Sequence, residues 1–118
     1  MYSKFFNVPP MACPRPRVTR YGTHYPPKYR DWLKSARTAF ADVPAMQQIT
    51  LVFVLPRPKR LGKGERVPHD KKPDLDNLIK SVCDALPYDD KTITHIFASK
   101  HYAADYEQPH IWVGSHDV

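Results

Sequence analysis

The stretch that decides the fold is ITLVFVL, residues 49–55, which is apolar at every position after Thr50. A short run rich in β-branched and aromatic residues, with proline directly after it, is typical of a strand buried on both faces. We therefore expect residues 49–55 to form a central strand. The rest of the chain is expected to supply the neighbouring strands and the elements that pack on its two faces.

Two amphipathic helices are predicted, one before and one after this strand. A first apolar stripe at helical spacing predicts a helix over residues 28–41, with Pro27 near its start: Tyr29, Trp32, Leu33, Ala36 and Phe40. A second stripe predicts a helix over residues 75–86, which Pro87 ends: Leu75, Leu78, Ile79, Val82, Cys83 and Leu86.

The remaining segments are predicted to be short strands and long loops. Strands are expected over residues 2–8, 91–100 and 110–113. Residues 9–27, with six prolines, predict an extended basic loop, and residues 56–72 predict a second one. The order of elements predicts an α+β fold, a small mixed sheet with about two helices, in a single domain spanning residues 1–118.

Composition places the chain among ordinary globular proteins. Its 118 residues are 42% hydrophobic and 25% charged, which is one domain of average make-up. No apolar run approaches the ~20 residues of a membrane-spanning helix, and the N-terminus has no apolar core of a secretory signal. Two cysteines, Cys13 and Cys83, cannot make a disulfide scaffold, so a cytoplasmic setting is expected.

Charge is distributed unevenly along the chain. The net charge is +6, and residues 1–72 contain fifteen Lys or Arg against four Asp or Glu. Residues 73–90 contain five Asp and one Lys. The basic part suits a polyanion such as DNA, whereas carboxylates repel phosphate. A divalent cation between the carboxylates and the phosphate would reconcile the two.

The acidic island is the string KKPDLDNLIKSVCDALPYDDKTI, residues 71–93. Asp74 and Asp76 lie at the electropositive start of the second helix, and Lys80 shares a face with Asp76. A helix, a turn and a strand can return Asp89 or Asp90 to this point. Three carboxylates suit Mg²⁺, and the lysine can neutralise charge that develops on phosphorus, so the set predicts a metal-dependent phosphodiesterase.

Each of these residues also has a purely structural interpretation. Asp74 is placed to cap the helix, and Asp76 with Lys80 is placed to form an i,i+4 ion pair. Asp84 follows Lys80 by four residues and is interpreted as its surface partner. The pair at 89–90 has a common turn composition. The conjunction of all of them in a basic chain favours the metal site.

The histidines and cysteines carry less information. Six histidines are scattered without the tight ligand pairs of a zinc site, so zinc is not expected. His69 is interpreted as a solvated residue of the second basic loop, and Cys83 as part of the core.

The two basic loops are predicted to bind DNA. Their proline and glycine content keeps them out of the core, so their cations are free to reach phosphate. The candidates are Arg15, Arg17, Arg20, Arg57, Lys59, Arg60, Lys63, Arg66, Lys71 and Lys72.

The string DLDNLIKSVCDAL followed by YDD resembles the D-L-D-N-x-x-K…D-A-L…DD signature of the RusA family of Holliday junction resolvases, found in bacteria and their phages. PRPRVT and ITLVFVLPRPK are similar to family segments as well. The resemblance implies a homodimeric, Mg²⁺-dependent endonuclease that nicks four-way or other branched DNA in recombination and repair, in the cytoplasm of a bacterial or phage-infected cell. It implies no membrane and no small-molecule cofactor.

Carried over by position, the resemblance makes Asp74, Asp76 and Asp90 the metal ligands and Lys80 the catalytic lysine. Only Pro87 and Tyr88 separate the helix from the acidic pair. This short link leaves the choice between Asp89 and Asp90 open.

Two other functions fit the same residues. A non-catalytic nucleic-acid-binding module would carry its acidic island as a solvated face. An RNA-directed nuclease would share the metal chemistry and differ in substrate. Magnesium-dependent cleavage of a four-way junction separates the module from the two nucleases.

Overall fold

The chain forms two layers, a β-sheet and a pair of helices on one of its faces. The computed structural model describes residues 1–15, 17–20 and 22–116, and for residues 17, 18, 19 and 23 it describes the backbone. The Cα atoms extend over 47 × 36 × 22 Å, and the shortest dimension suits one sheet covered by one layer of helices.

Seven strands and two helices make up the described chain. In chain order they are β1 (Ser3–Phe6), β2 (Arg17–Thr19), β3 (Gly22–His24), α1 (Pro27–Ala39), β4 (Gln48–Leu55), β5 (Val67–Pro68), α2 (Leu75–Ala85), β6 (His95–Tyr102) and β7 (His110–Ser115). The main sheet has the order β1-β7-β4-β6-β5, and β2 with β3 forms a separate hairpin. The predicted α+β fold with a mixed sheet and two helices is confirmed.

Strand β4 is the centre of the sheet, as the sequence predicts. It pairs in parallel with β6 and antiparallel with β7, so α2 lies on the crossover between two parallel neighbours. Strand β1 pairs antiparallel with β7, and β5 closes the other edge against β6. In chain order, the acidic island therefore lies between the two parallel strands β4 and β6.

Both helices follow their predicted apolar stripes. In α1, Pro27 occupies one of the first two positions, where its missing N–H costs no helical hydrogen bond. Tyr29 and Phe40 from the α1 side, and Leu78 and Val82 from α2, are buried in the core. Neither described helix has the length and hydropathy required to cross a bilayer.

The two faces of β4 are not equally covered, so the prediction of burial on both faces is only half right. Ile49, Leu51 and Phe53 face the helices and are at most 1% exposed. On the opposite face Thr50 and Val52 are half-buried, and Val54 near the end of the strand is fully buried. Both helices contribute to the core on the first face, and in the described residues no helix covers the second.

Several element bounds differ from the predictions. The segment predicted as an extended loop contains the hairpin of β2 and β3, whose three-residue strands are too short to show alternation; Gly22, at φ 118°, supplies the backbone conformation of the turn. Strand β5 has two residues and contains Pro68, which an edge strand tolerates. Strand β6 begins later than predicted, because Asp90–Thr92 forms a 3₁₀ turn.

Candidate active site

The start of α2 presents two exposed carboxylates, Asp74 and Asp76. Asp74 is the N-cap residue, with φ −70° and ψ 145°, but its side chain makes no capping hydrogen bond. Asp76 lies in the first turn, and its Oδ1 accepts a bond of 3.0 Å from the backbone N–H of Asn77. Both residues are exposed. The interpretation of Asp74 as a side-chain cap is therefore wrong.

Lys80 lies one turn after Asp76 and is also exposed. Among the described residues, ion pairs within 4.0 Å join Arg66 to Glu107 and Lys91 to Asp89. Lys80 forms neither the predicted pair with Asp76 nor one with Asp84. Its ammonium therefore remains available to a ligand.

These side chains border a cavity of about 780 Å³ between the start of α2 and residues 12–15. The backbone N–H of Cys13 donates to the carbonyl of Asn77 at 3.0 Å, which holds the two walls together. The charged lining residues are Arg15, Lys72, Asp74, Asp76 and Lys80. Three cations thus surround two carboxylates, an arrangement that suits a phosphate together with a metal ion.

The wall formed by residues 12–15 is anchored by a half-buried carboxylate, Asp84. The hydroxyl of Tyr29 donates to Asp84 Oδ2 at 3.1 Å, and the Cys13 sulfur lies 3.8 Å from the same oxygen. Burial, the Cys13 thiol and the Asp84 charge raise the pKa of Tyr29, so its hydroxyl keeps the proton that it donates. The interpretation of Asp84 as a surface partner of Lys80 is wrong, because its oxygen points into this network.

The acidic pair after α2 lies away from the cavity. Asp89 caps the 3₁₀ turn, accepting from the backbone N–H of Lys91 at 3.0 Å. Asp90 is near Cys83, since burial first and then the charges of Asp90 and Asp84 raise the pKa of that thiol to about 11. Cys83 follows Asp76 by seven residues, which is about 10 Å along a helix axis.

The predicted three-carboxylate cluster is therefore not assembled. In residues 1–15, 17–20 and 22–116 no group of three or more His, Cys, Asp and Glu side chains is placed to hold a metal ion. Asp74 and Asp76 share the cavity, and Asp90 is not among the residues that line it. Asp89 Oδ1 accepts the hydrogen bond that caps the 3₁₀ turn. Of the two carboxylates, Asp90 is therefore the one without a capping bond.

Two of the arginines predicted to bind DNA make hydrogen bonds within the protein. Arg57 donates to the carbonyls of Gly62, Glu65 and Ala103 at 2.6, 2.9 and 3.1 Å. Arg66 makes a bidentate pair with Glu107, with bonds of 2.8 and 3.0 Å from its Nε. These hydrogen bonds order the second basic loop and direct both guanidinium groups to oxygen atoms of the protein.

The other predicted DNA-binding residues are placed differently. Arg15 lines the cavity, and Arg60 donates to the hydroxyl of Tyr102 at 3.2 Å. The side chain of Arg17 lies outside the described residues. Five further cations are exposed: Arg20, Lys59, Lys63, Lys71 and Lys72.

The segment before Asp74 is held by residues that the sequence did not identify. His69 is 8% exposed and packs against the Tyr102 ring, with centroids 4.3 Å apart, so its interpretation as a solvated loop residue is wrong. Burial and the charge of Lys100 lower its pKa. Lys100 Nζ donates to the carbonyls of Lys71 and Pro73. The sequence offered no local signal for these contacts, because the partners of the Lys100 ammonium lie 29 and 27 residues away.

Comparison with known proteins gives one match. A family model described as endodeoxyribonuclease RusA matches residues 7–113. The matched range contains every residue that lines the cavity. No curated protein matches the chain.

Proposed function

Because the family match spans most of its length, the protein belongs to the RusA endodeoxyribonuclease family, and we propose that it is a Mg²⁺-dependent endonuclease cutting four-way or other branched DNA at the cavity beside α2. Membership confirms the resemblance seen in the sequence and makes the protein a DNA-cleaving hydrolase of the Holliday junction resolvase type. The observation that carries the choice of site is the pair Asp74 and Asp76, two exposed carboxylates that share one cavity with Lys80 and have no ionic partner among the described residues. The expected setting is recombination and repair in the cytoplasm of a bacterial or phage-infected cell.

The donor set of the cavity fits magnesium. Mg²⁺ is commonly bound by one or two carboxylates together with water and substrate phosphate. Asp74 and Asp76 supply two exposed carboxylates in a cavity wide enough for the remaining ligands. When bound, the ion supplies a Lewis acid for the phosphoryl oxygens. Asp90 does not line the cavity, so the proposal places the ion on Asp74 and Asp76, with water and substrate phosphate as its remaining ligands.

The cations of the cavity have separate roles in this proposal. Lys80 is the catalytic lysine, and its Nζ stabilises the negative charge that develops on the phosphoryl oxygens. Arg15 and Lys72, on opposite walls, bind and orient the phosphate before the reaction. Water then displaces the leaving oxygen, with one P–O bond formed and one broken.

The exposed lysines outside the cavity extend the DNA-binding surface. Lys59 and Lys63 lie in the second basic loop, and Lys71 directly precedes the cavity. Each phosphate that they neutralise releases counterions and adds to the salt dependence of binding. They therefore contribute affinity and position, not sequence readout.

The uncovered sheet face supports the homodimer. Phe5, Phe97 and the half-buried Trp112 lie on it, with Phe5 52% and Phe97 42% exposed. Exposed aromatic surface of this kind is typical of a protein–protein contact, in which a second apolar face buries it. A second copy offers the same face in an isologous contact, and two nicks in opposing strands need two cavities.

The dimer is tested by the sedimentation of Phe97→Glu beside Ala45→Glu, a matched change at an exposed site outside the sheet. The proposal expects wild type and Ala45→Glu to sediment as dimers and Phe97→Glu as a folded monomer. A wild-type monomer, or a dimeric Phe97→Glu, would contradict it.

One assay tests the enzymatic proposal against its alternatives. The purified protein is incubated with a four-way junction, linear duplex, single strand and an RNA junction, in Mg²⁺ and in EDTA. The proposal expects cleavage of the DNA junction in Mg²⁺ alone. Binding without cleavage would favour the non-catalytic module, and preferential cutting of RNA would favour the ribonuclease.

A further inference from the structure

We infer that Lys100 is a positioning residue for Asp74: it fastens the backbone directly before Asp74 and so fixes how that carboxylate enters the cavity. The inference rests on the proposed function, since it assigns a role to Asp74. Lys100 itself lies on β6, 27 residues after Pro73. No side-chain contact of Lys100 with the cavity is required.

The tether has three points, all from one residue. Lys100 Nζ donates to the carbonyl of Lys71 at 2.6 Å and to that of Pro73 at 2.8 Å. The backbone carbonyl of Lys100 accepts from the N–H of His69 at 3.1 Å. Residues 69–73 have no helix or strand of their own, so this tether ties them to the sheet.

The anchoring strand is a rigid element. Lys100 is paired with Phe53 of the central strand, and Phe53 is fully buried in the core. The lysine stem therefore leaves the sheet on the helix-facing side, where it is half-buried. Its ammonium is satisfied by carbonyl oxygens and ends beneath the 71–73 backbone, whereas a phosphate-binding lysine extends into solvent.

The consequence for Asp74 follows from its missing cap. A side chain that capped the helix would be oriented by the helix N–H groups, and Asp74 is not. Its direction is therefore set by the backbone that carries it, which the Lys100 ammonium holds. Misplacement of a reacting group by about 1 Å costs up to about a hundredfold in rate.

The test compares Lys100→Met, which keeps the stem and loses the donors, with Lys28→Met, a lysine-to-methionine change at an exposed position of α1. We expect Lys100→Met to lower kcat about tenfold to a hundredfold with junction affinity within about twofold of wild type, because position and not binding is lost. Lys28→Met keeps wild-type kcat. Cleavage by trypsin after Lys71, measured against cleavage after Lys63 in the same sample, accelerates only in Lys100→Met.

A chemical rescue separates positioning from general damage to the fold. Lys100→Cys is alkylated under native conditions with 2-bromoethylamine, which restores an ammonium at nearly lysine's reach, or with iodoethane, which adds a neutral chain. Only the aminoethylated protein regains kcat and trypsin resistance after Lys71. Wild type treated in parallel reports any effect of alkylation at Cys13 or Cys83.

Three outcomes would overturn the inference: an unchanged kcat in Lys100→Met, a loss that lies wholly in affinity, or equal recovery with both reagents. The trypsin measurement keeps the tether testable even if wild type cuts no DNA, a result that would defeat the proposed function instead. Unchanged cleavage after Lys71 would then still refute the tether.

Discussion

The second basic loop and the start of α2 both contain many charged residues. They differ in whether those charged groups have partners within the protein. In the loop, Arg57 and Arg66 direct their guanidinium groups to the protein's own carbonyls and to Glu107. At the start of α2, Asp74 and Lys80 have no ionic partner within the described residues. The comparison shows that charged groups bonded to other protein atoms stabilise the fold. Charged groups without such partners at a cavity are the ones available to a ligand.

The sharpest test of this contrast is Asp76→Asn. We expect the cleavage rate to fall more than about 100-fold, because Asp76 is a proposed metal ligand. Loss of a residue that only hydrogen-bonds to a metal ligand already costs up to about 100-fold. Junction binding should stay the same or tighten, since one repulsion with phosphate is gone. Single-turnover cleavage and a binding titration are the measurements, with Asp31→Asn on the exposed side of α1 as control. Full activity of Asp76→Asn would remove the metal site from this cavity.

The opposite result is expected for Arg57→Met. Loss of several charge-assisted bonds should lower the free energy of unfolding by about 2 kcal/mol, because hydrogen bonds from a charged donor contribute about 1.5–3 kcal/mol and the part-buried carbonyl of Ala103 loses one of them. Lys59→Met, two residues later and exposed, should change it by less than about 0.5 kcal/mol. Urea unfolding of both variants decides the matter. Equal stabilities would mean that Arg57 is a free cation after all.

A third change addresses the lysines that remain free. Replacing Lys59, Lys63 and Lys71 together by Met should weaken junction binding and reduce the salt slope of log Kd by up to about 0.9 for each phosphate that the variant no longer neutralises. Thermal stability should barely move, because exposed charges contribute little. Binding titrations at several salt concentrations give the slope. An unaltered slope would place the DNA elsewhere on the surface.

The smallest effect concerns the Arg66–Glu107 pair and depends on pH. Hydrogen bonding to Arg66 lowers the pKa of Glu107 to about 2 from its usual 4.5. A depressed folded-state pKa contributes stability that is present above the unfolded value and lost as pH falls towards 2. Glu107→Gln should therefore cost about 1 kcal/mol at pH 7, after allowance for solvent screening, and progressively less as pH falls from 4.5 to below about 2. Melting temperatures across that range check it, and a pH-independent difference would contradict it.

Regular periodicity made most of the fold predictable. The stripes of α1 and α2 and the apolar run of β4 reflect burial against one another, which local sequence records directly. The sequence analysis missed the hairpin of β2 and β3 and the edge strand at Pro68. Strands of two or three residues are too short to show an alternation of apolar and polar residues. The turn composition of the 89–90 pair is confirmed by the 3₁₀ turn, but the extent of that turn was not predicted, so the strand after it was expected too early.

The site was predictable in its chemistry and not in its geometry. Asp74, Asp76 and Lys80 share one helix, so their spacing alone brings them together. Asp90 depends on a turn whose direction the sequence does not encode locally. Asp84 and Lys100 act through partners 55 and 27 residues away, and pairings of that length leave no local pattern.

The order of strands has a consequence for how the protein is made. Strand β4 finds both of its neighbours, β6 and β7, only in later parts of the chain, and β1 pairs with β7, so that Ser3 lies opposite Gly114. Contacts between such distant residues are slow to form and close last. A nascent chain that has completed α2 carries both carboxylates but lacks the sheet beneath them. The cavity beside α2 is therefore expected to take its final form only after β6 and β7 have been synthesised.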